Sequence, residues 1–426
     1  MRQSRFALLI FLLVLAVVAA ALAYVLLASP PNLPRIRGFS LEARYSGLSW
    51  PDALAFAPDG RLFFAERLTG SVRIIRDGSL LPSPFFSFAN IDTSGERGLL
   101  GLALDPGFPQ APWVYAYYTY HDTANGTFEN RIVRVQASGD NGTSMEILLG
   151  GIPSATIHNG GAIGFGPDGK LWAVVGDGAV ADSAQDLSAP TGKVLRLNPD
   201  GSVPSDNPFA GNASANPYVY TYGHRNMFGI AFHPVTHAAY VTENGPSDSD
   251  EINRLVPGGN YGWPIVRGAA QTLPYLDPVL TYTPVIVPTN AVFCAGSVYG
   301  ALAGDLFFAD YAHGRLHDVK LVSPAYDAAS SDSVIDSLSS GIVGLVQSPD
   351  GYVWTSTASA IYRLVPVSSL ATTEAPVPYG LAILSLPASP RNLSKGHDVP
   401  TPDAGVPHPE RGSPEAVPRA GVRDPA

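Results

Sequence analysis

Short apolar runs separated by turn residues follow one another through the middle of the chain. One unit recurs, in which an apolar run leads into Pro-Asp-Gly and a second apolar run: FAPDGRLFF (56–64), FGPDGKLWAV (165–174) and QSPDGYVWTS (347–356). Proline presets the φ angle of a tight turn, and glycine accepts the positive φ that such a turn requires. Each unit therefore predicts a β-hairpin.

Three looser versions of this unit lie at 103–118, 231–243 and 300–311, which brings the number of predicted hairpins to six. Hairpins repeated at intervals of tens of residues indicate a blade repeat, and propellers close such repeats around a central channel. Amphipathic helical patterns are scarce, which argues against an α/β fold. The middle of the chain is therefore predicted to be all-β.

The composition is consistent with one large folded domain and argues against one class of binding partner. Hydrophobic residues make up 46% of the 426 residues, enough for a sizeable core. The net charge of -10 argues against a nucleic-acid partner, because binding phosphates requires a basic surface. Cys294 is the single cysteine, so an internal disulfide is excluded, and we expect it to be a small buried side chain rather than a nucleophile.

The two ends of the chain differ from the middle. Within residues 1–30, Arg2 and Arg5 precede the uncharged apolar run Phe6–Ala28, which is long enough to cross a bilayer as a helix. We predict an uncleaved membrane anchor with the body outside the cytoplasm; a cleaved signal peptide is the alternative. Residues 31–47 are predicted as a linker or first strand and 48–366 as the folded domain. Residues 367–426 are rich in proline and predict a disordered tail.

Two other motifs are set aside. Gly164–Gly169 matches the dinucleotide-binding pattern GxGxxG, but that pattern needs a following helix and a strand is predicted here instead. His313 and His317 would resemble metal ligands on a helix. Because the local pattern is that of a strand, we expect both to be surface residues.

Candidate chemistry is concentrated in four loops beside apolar runs: GERGLLGLALDPGF (95–108), IHNGG (157–161), TYGHRN (221–226) and ENGPSDSDEINRLVPGGNYGWP (243–264). Loops on a rigid scaffold often carry catalytic residues. A histidine such as His158 can act as a general base near neutral pH, or it can be a turn residue bonded to backbone. Arg225 can stabilise a developing negative charge, or it can tie loops together through their carbonyls.

The carboxylates of these loops have two interpretations as well. Glu96 could orient His158, or it could form a surface salt bridge with Arg97. The acidic turn that ends in Asp250 and Glu251 offers the oxygen ligands that calcium prefers, or it is simply solvated. The residues alone leave both choices open.

The four segments in this order, with GKVLRLNPDGSVPSDNPF (192–209) between them, resemble the glucose/sorbosone dehydrogenase family. These are soluble aldose dehydrogenases that use pyrroloquinoline quinone (PQQ). The resemblance runs from about Leu48 to about Leu364 and implies a six-bladed β-propeller. It also implies that His158 removes the proton of the anomeric hydroxyl as hydride passes to the quinone, with Glu96 nearby.

The resemblance assigns cofactor and metal contacts too. It implies that Arg225, Asn226 and Asn159 contact PQQ, and that Arg225 also takes part in catalysis. The carbonyls of Gly245 and Pro246 are implied to hold a calcium ion that clamps PQQ. A second, structural calcium is implied to be bound by Asp250, Glu251 and Tyr261.

The chain departs from the family where three cations would pair with the carboxylates of PQQ. Ala312 stands at the expected lysine position, and Gly341 and Val343 stand at the expected arginine positions. Arg315 and Lys320 are possible substitutes. A tricarboxylate buried without counter-charges is costly, so we expect weak, calcium-dependent PQQ binding.

These observations predict an extracytoplasmic quinoprotein that oxidises the anomeric carbon of aldose sugars to lactones and passes electrons to an unidentified acceptor. Two alternatives remain. One is a propeller of the same ancestry that has lost PQQ and serves as a binding or adhesion module. The other is a calcium-dependent, lactonase-like hydrolase, for which propellers also provide the scaffold.

Overall fold

A computed structural model describes residues 32–367 as β-strands joined by turns and loops. The strands form six antiparallel sheets, and the all-β six-bladed propeller predicted from the sequence is confirmed. Two short 3₁₀ helices, Ala181–Ala184 and Gly300–Leu302, interrupt the loops.

Except for the first strand of the described chain, which joins the last sheet, each sheet is built from strands that are consecutive in the chain, so each sheet is one blade. Blade 1 contains β2 (Pro51–Phe56), β3 (Leu62–Glu66), β4 (Ser71–Arg76), β5 (Ser79–Leu80) and β6 (Phe86–Ser87). Blade 2 contains β7 (Leu99–Leu104), β8 (Trp113–Asp122), β9 (Thr127–Ser138) and β10 (Asn141–Pro153). Blade 3 contains β11 (Ile163–Phe165), β12 (Leu171–Val175), β13 (Lys193–Leu197) and β14 (Val219–Tyr222).

The other three blades follow the same plan. Blade 4 contains β15 (Met227–Phe232), β16 (Ala239–Glu243), β17 (Asp250–Arg254) and β18 (Leu280–Tyr282). Blade 5 contains β19 (Pro288–Phe293), β20 (Leu306–Asp310), β21 (Arg315–Leu321) and β22 (Ala329–Ser337). Blade 6 contains β23 (Leu345–Gln347), β24 (Val353–Ser356), β25 (Ala360–Pro366) and, as its outermost strand, β1 (Phe39–Ser46).

Strand β1 closes the ring. It pairs antiparallel with β25, from Phe39 opposite Pro366 to Ser46 opposite Ala360. A strand from the start of the described chain thus completes the blade built by its end. Within the 31–47 segment, predicted as a linker or first strand, residues 39–46 accordingly contribute a strand to the propeller.

Each Pro-Asp-Gly unit forms the turn between the first and second strands of a blade. In blades 1, 3 and 6 the glycine of this turn has φ near +88°, +70° and +87°, respectively, a region that side chains disfavour. In the first of these turns the Gly60 N–H donates to the Ala57 carbonyl at 2.9 Å. The hairpins predicted from turn chemistry are therefore confirmed.

The second strand of each blade is covered on both faces, because neighbouring blades pack against it. In β3, β12 and β20 every residue is buried, so these strands are apolar without strict alternation. Cys294 lies in the core between blades 5 and 6, where burial raises the pKa of its thiol to about 12. Its expected role as a small buried side chain is confirmed.

The topology brings the candidate loops to one face. Because the first two strands of a blade are antiparallel, the residues just before the first strand and just after the second lie on the same side. We call this face the rim. It carries the loops that contain Glu96, His158, Arg225 and the 243–250 turn.

One expectation about blade 5 was wrong. His317 lies on strand β21, as predicted, but it is buried rather than on the surface. Its Nε2 lies 3.0 Å from Asp310 Oδ2 and its Nδ1 lies 3.1 Å from Asp332 Oδ1. These two carboxylates raise the pKa of His317 against the opposing effect of burial. The sequence pattern of β21 did not reveal that the face of the strand carrying His317 is covered.

No helix within residues 32–367 has the length and apolar character needed to cross a membrane. The apolar run Phe6–Ala28 lies outside the described residues, and so does the proline-rich segment from residue 368 onwards. The membrane anchor and the disordered tail therefore stay predictions.

Candidate active site

A central cavity of about 610 Å³ lies between the six blades. Its walls are mostly apolar and come from the innermost strand of every blade, for example Leu54, Ile163 and Leu345. Polar and charged side chains are found at its rim, including Asp52, Arg67 and Glu96. A concave, largely apolar site with a few polar groups at its mouth is the usual form of a small-molecule site.

His158 lies at the rim in a constrained conformation. Its φ of +60° is in the left-handed region, which costs a residue with a side chain about 1–2 kcal/mol. Two contacts hold it there: its N–H donates to Glu96 Oε2 at 2.6 Å, and its carbonyl accepts from the Gly178 N–H at 3.0 Å. Gly176 permits this approach, since a Cβ there would lie 2.2 Å from the His158 carbonyl oxygen.

The imidazole of His158 is oriented by Asp177. His158 Nδ1 lies 2.8 Å from Asp177 Oδ1, and this geometry assigns the proton to Nδ1 and the lone pair to Nε2. Within residues 32–367, Nε2 has no hydrogen-bond partner. The arrangement is that of a general base held in one tautomer by a carboxylate.

The sequence analysis did not predict Asp177 as a site residue. In the structure its side chain is buried and both carboxylate oxygens accept hydrogen bonds. Its Oδ1 also accepts from the Ala179 N–H at 2.8 Å, and its Oδ2 accepts from Trp263 Nε1 at 2.9 Å. The available signal was an acidic residue two positions after the apolar run LWAVV. Because that run forms the second strand of its blade, the acid after it had to reach the rim.

Glu96 is close to His158, as expected, but it binds the backbone of that residue and not its ring. Its Oε2 also accepts from Asn226 Nδ2 at 3.2 Å, and Asn226 Oδ1 accepts from the Gly160 N–H at 3.3 Å. The alternative salt bridge with Arg97 is not formed, since Arg97 Nη1 lies 3.4 Å from Asp92 instead. Glu96 and Asn226 thus fix the loop that carries His158.

Asn159, expected to contact PQQ, is buried and bonded within the protein. Its Oδ1 accepts from Ser154 Oγ at 2.9 Å and from Asn130 Nδ2 at 3.1 Å. Its Nδ2 donates to the Ala155 carbonyl at 2.8 Å. These bonds shape the loop before β11 and leave the amide little capacity for a ligand, so the placement does not favour the expected cofactor contact.

Arg225 combines both interpretations drawn from the sequence. Its Nη1 donates to the carbonyls of Asn244 and Gly245 at 2.8 and 2.9 Å, which ties two loops of blade 4 together. Burial lowers its pKa from the usual value, while neighbouring carboxylates, first among them Asp177, oppose that effect. Its Nε and Nη2 have no acceptor within the described chain, so they can serve a ligand.

The 243–251 turn is held mainly by carboxylates that bind backbone N–H groups. Asp250 Oδ1 accepts from Gly245 at 2.8 Å, and Oδ2 accepts from Ile286 and Val287 at 2.7 Å each. Burial is the main factor that raises the pKa of Asp250. Glu243 accepts from the backbone of Arg225 and from the ring of the buried His224.

The residues expected to bind a structural calcium have other partners. Glu251 accepts from the Gly268 N–H at 2.8 Å, and burial, with the charge of Glu243, raises its pKa to about 8. The Tyr261 hydroxyl donates to the Arg254 carbonyl at 2.6 Å. Across residues 32–367 no cluster of three His, Cys, Asp or Glu side chains is arranged to hold a metal. The second calcium site stays a prediction that these contacts do not favour.

The Gly245 and Pro246 carbonyls are a different case. Gly245 O is shared with Arg225, but a carbonyl oxygen has two lone pairs and can accept a second partner. On the same turn, the buried oxygen Asn244 Oδ1 accepts no hydrogen bond, whereas Asp248 Oδ1 lies 3.6 Å from Arg267 Nη1. Oxygen acceptors without donors are the chemistry that a hard cation satisfies.

The part of the rim formed by Tyr311, Gly341 and Val343 carries no charged side chain. The Tyr311 ring stacks on Trp50, with 6.3 Å between ring centroids. A Cβ at Gly341 would lie 2.5 Å from the Tyr311 ring, so that position is filled by its neighbour. Val343 lines the cavity without a charge. Lys320, considered as a substitute cation, pairs with Asp305 at 3.1 Å.

Comparison with known proteins agrees with this architecture. Residues 48–365 match the Glucose / Sorbosone dehydrogenase family. The chain is 35% identical over 258 residues to quinoprotein glucose dehydrogenase B of Acinetobacter calcoaceticus, which covers 54% of this chain and 53% of that protein. It is 31% identical over 206 residues to hedgehog-interacting protein of Mus musculus, covering 42% of this chain and 29% of that protein.

A solved structure extends the likeness to the whole propeller. The PQQ-bound form of aldose sugar dehydrogenase from Streptomyces coelicolor superimposes with a TM-score of 0.66 and 27% identity, covering 79% of this chain and 99% of that one. The family match spans all six blades and the rim loops that carry His158 and Arg225. The chain is therefore a member of the glucose/sorbosone dehydrogenase family.

Proposed function

We propose that this protein is an extracytoplasmic quinoprotein sugar dehydrogenase that oxidises the anomeric carbon of aldoses to lactones with PQQ and calcium. The observation that carries the proposal is the His158–Asp177 pair, in which the Nε2 lone pair of His158 is free on the rim. The backbone of His158 is bonded to Glu96, a residue that lines the cavity. Membership of the family and the quinoprotein relatives support the same chemistry.

The residues on this side of the rim suit a quinone cofactor. Arg225 has two uncommitted donors for a developing negative charge, and the carbonyls of Gly245 and Pro246, beside the unpartnered Asn244 Oδ1, suit calcium. When bound, PQQ would supply the oxidant that accepts a hydride from the sugar. Arg225 would hold it, and the 245–246 turn would hold the calcium.

The chain's own residues would move the proton. The anomeric O–H bond breaks as His158 Nε2 takes its proton, while the anomeric C–H bond breaks as hydride leaves to the oxidant. Loss of both hydrogens turns the hemiacetal carbon into the lactone carbonyl. Asp177 stabilises the imidazolium that forms, and the Trp263 N–H keeps that carboxylate in place. Turnover would also require an electron acceptor, which is not yet identified.

Reconstitution tests the proposal directly. Purified protein supplied with PQQ and calcium should reduce an artificial dye when glucose or another aldose is added. His158→Ala should abolish most of this activity while PQQ still binds. Absence of aldose oxidation by wild-type protein that has demonstrably bound PQQ would overturn the proposal.

A binding module without catalysis is the second candidate. It is favoured by the uncharged rim formed by Tyr311, Gly341 and Val343, and by the relative that is named for an interaction. This candidate predicts that no PQQ binds at millimolar calcium. Titration of the purified protein with PQQ at millimolar calcium therefore separates the two functions.

A further inference from the structure

We propose that Arg67, supported by the ring of Trp50, forms a carboxylate-binding subsite at the mouth of the central cavity. Both residues line the cavity and belong to blade 1. The ligand we infer is the carboxylate of a small molecule seated in the cavity. That carboxylate can belong to a quinone cofactor or to a sugar acid. Only the first source rests on the proposed function.

The hydrogen bonds of Arg67 leave most of its guanidinium uncommitted. Nη1 donates to the carbonyls of Gly95 and Arg97 at 2.8 and 3.2 Å. Nη2 has no acceptor within residues 32–367, and Nε is buried without one. A buried donor without a partner is destabilising, and an incoming carboxylate relieves that penalty. Nε and Nη2 form one edge of the guanidinium, which matches a carboxylate with two parallel bonds.

The charge of Arg67 is also unbalanced. No carboxylate of the described chain lies within 4.0 Å of its guanidinium nitrogens, unlike Arg61 or Arg196, which form salt bridges. The carboxyl whose charge it influences is Asp52, another residue of the cavity mouth, and burial raises the pKa of Asp52 to about 7 despite Arg67. When Asp52 is protonated it no longer offsets the charge of Arg67, and Glu96 is the other carboxylate that lines the mouth.

The surrounding backbone holds Arg67 in place. Its stem packs against Gly98, where a Cβ would lie 2.4 Å from Arg67 Cγ, so this glycine leaves room for the side chain. The guanidinium carbon lies 4.4 Å from the centre of the Trp50 ring, within the range of a cation–π contact. Trp50 itself has φ of +58°, and its carbonyl accepts from the Arg67 N–H at 2.9 Å. Strained residues of this kind tend to cluster at ligand sites.

Direct binding measurements test the subsite without relying on turnover. PQQ is titrated into the full chain with calcium and followed by absorbance, and D-glucuronate and neutral D-glucose are titrated by calorimetry. The pH is kept one unit below the pKa of Asp52. The variants are Arg67→Gln, Arg67→Lys and, as the matched control, Arg73→Gln. Arg73 belongs to the same blade and also has a buried, unpartnered Nε, but it does not line the cavity.

We expect Arg67→Gln to weaken binding of at least one carboxylate ligand by about ten- to a hundredfold, the effect of losing a charged hydrogen bond. Glucose binding and the Arg73→Gln control should be unchanged. Arg67→Lys keeps the charge but loses the planar fork, so it should bind at an intermediate strength and serves if Arg67→Gln fails to fold.

The two carboxylate sources give distinguishable results. If PQQ fails to bind while glucuronate binds in an Arg67-dependent way, the proposed function fails and the subsite stands. If PQQ binds and only its affinity depends on Arg67, the cofactor is the source. Unchanged affinity of both carboxylates in Arg67→Gln, or no binding of either to wild-type protein, would overturn the subsite.

Discussion

The two sides of the rim carry different kinds of side chain on the same scaffold. The His158 side, formed by His158, Asp177, Arg225 and Glu243, consists of polar and charged groups with specific partners. The Tyr311 side, formed by Tyr311, Gly341 and Val343, is aromatic or apolar, and Arg67 lies over the neighbouring Trp50 ring. Both sides arise from equivalent positions, just before a first strand or just after a second one.

The difference shows how a propeller separates its architecture from its chemistry. On the His158 side, strain at one residue is held by carboxylates that bind backbone N–H groups, as Glu96 does for His158. On the Tyr311 side, the ring of Tyr311 fills the space over Gly341. The scaffold accepts either solution, because loops at the rim are fixed by their own contacts rather than by blade packing.

The largest effect is expected from a substitution that removes the general base on the His158 side. His158→Ala should lower kcat for aldose oxidation by about 10²–10⁴-fold, because proton transfer then lacks its base. Dye-linked kinetics with saturating PQQ measure this, and circular dichroism confirms folding. Tyr311→Phe serves as a control on the opposite side and should stay near wild type. Equal loss in both variants would remove the functional distinction between the two sides.

The next prediction gives the Tyr311 side a charge. Val343→Arg places a cation at the cavity and should tighten PQQ binding by about tenfold or more, as a charged hydrogen bond is gained. Gly341→Arg is the contrasting variant: its Cβ would lie 2.5 Å from both the ring and the carbonyl oxygen of Tyr311, so it should lower the melting temperature without tightening binding. Equal affinity gains from both variants would show that Tyr311 does not block the site.

A third prediction uses the titrating carboxyl of the cavity mouth. The pKa of Asp52 in the folded chain, about 7, is above its unfolded value of 3.8, so wild-type protein loses stability as pH rises across that interval. Asp52→Asn stays neutral and should be more stable than wild type above pH 7 by about 1–2 kcal/mol, a figure reduced for partial exposure. Below pH 4 the two should differ little. Denaturant unfolding at several pH values measures this, and parallel pH profiles would contradict it.

The smallest effect sharpens the role of Asp177. Trp263→Phe removes one N–H donor from Asp177 Oδ2 and keeps an aromatic ring near Arg225. Since Asp177 retains its other bonds, kcat should fall only about two- to tenfold, the effect of one hydrogen bond. Asp177→Asn should cost more, because it disturbs the imidazole itself. Stopped-flow kinetics of cofactor reduction measure both variants. A larger loss of rate in Trp263→Phe than in Asp177→Asn would contradict the prediction.

Turn chemistry made the fold accessible from the sequence. Proline and glycine in the 57–60, 166–169 and 348–351 turns specify a hairpin locally, without reference to the rest of the chain. His158 and Arg225 could be proposed because reactive residue types stand in loops beside apolar runs. The family resemblance then gave them roles.

The missed features depend on contacts between distant segments. Asp177 pairs with His158 across 19 positions, and nothing in its own neighbourhood indicates that partner. His317 is buried because Asp310 and Asp332 from adjacent strands supply its counter-charges. The block over Gly341 comes from Tyr311 on another loop. Local sequence patterns carry no information about contacts between such distant segments.

The pairing of β1 with β25 gives the propeller no unique starting point. Phe39 lies opposite Pro366, so the chain enters and leaves the ring at neighbouring positions. A short linker joining those positions would make the ring continuous, and new ends could then be cut in an exposed loop of another blade, such as the 123–126 turn of blade 2. Such a circularly permuted chain would keep the strand pairings of every blade. Blade 6 would then no longer combine strands from the two ends of the described chain. Order along the chain and order around the ring are thus separable properties of this molecule.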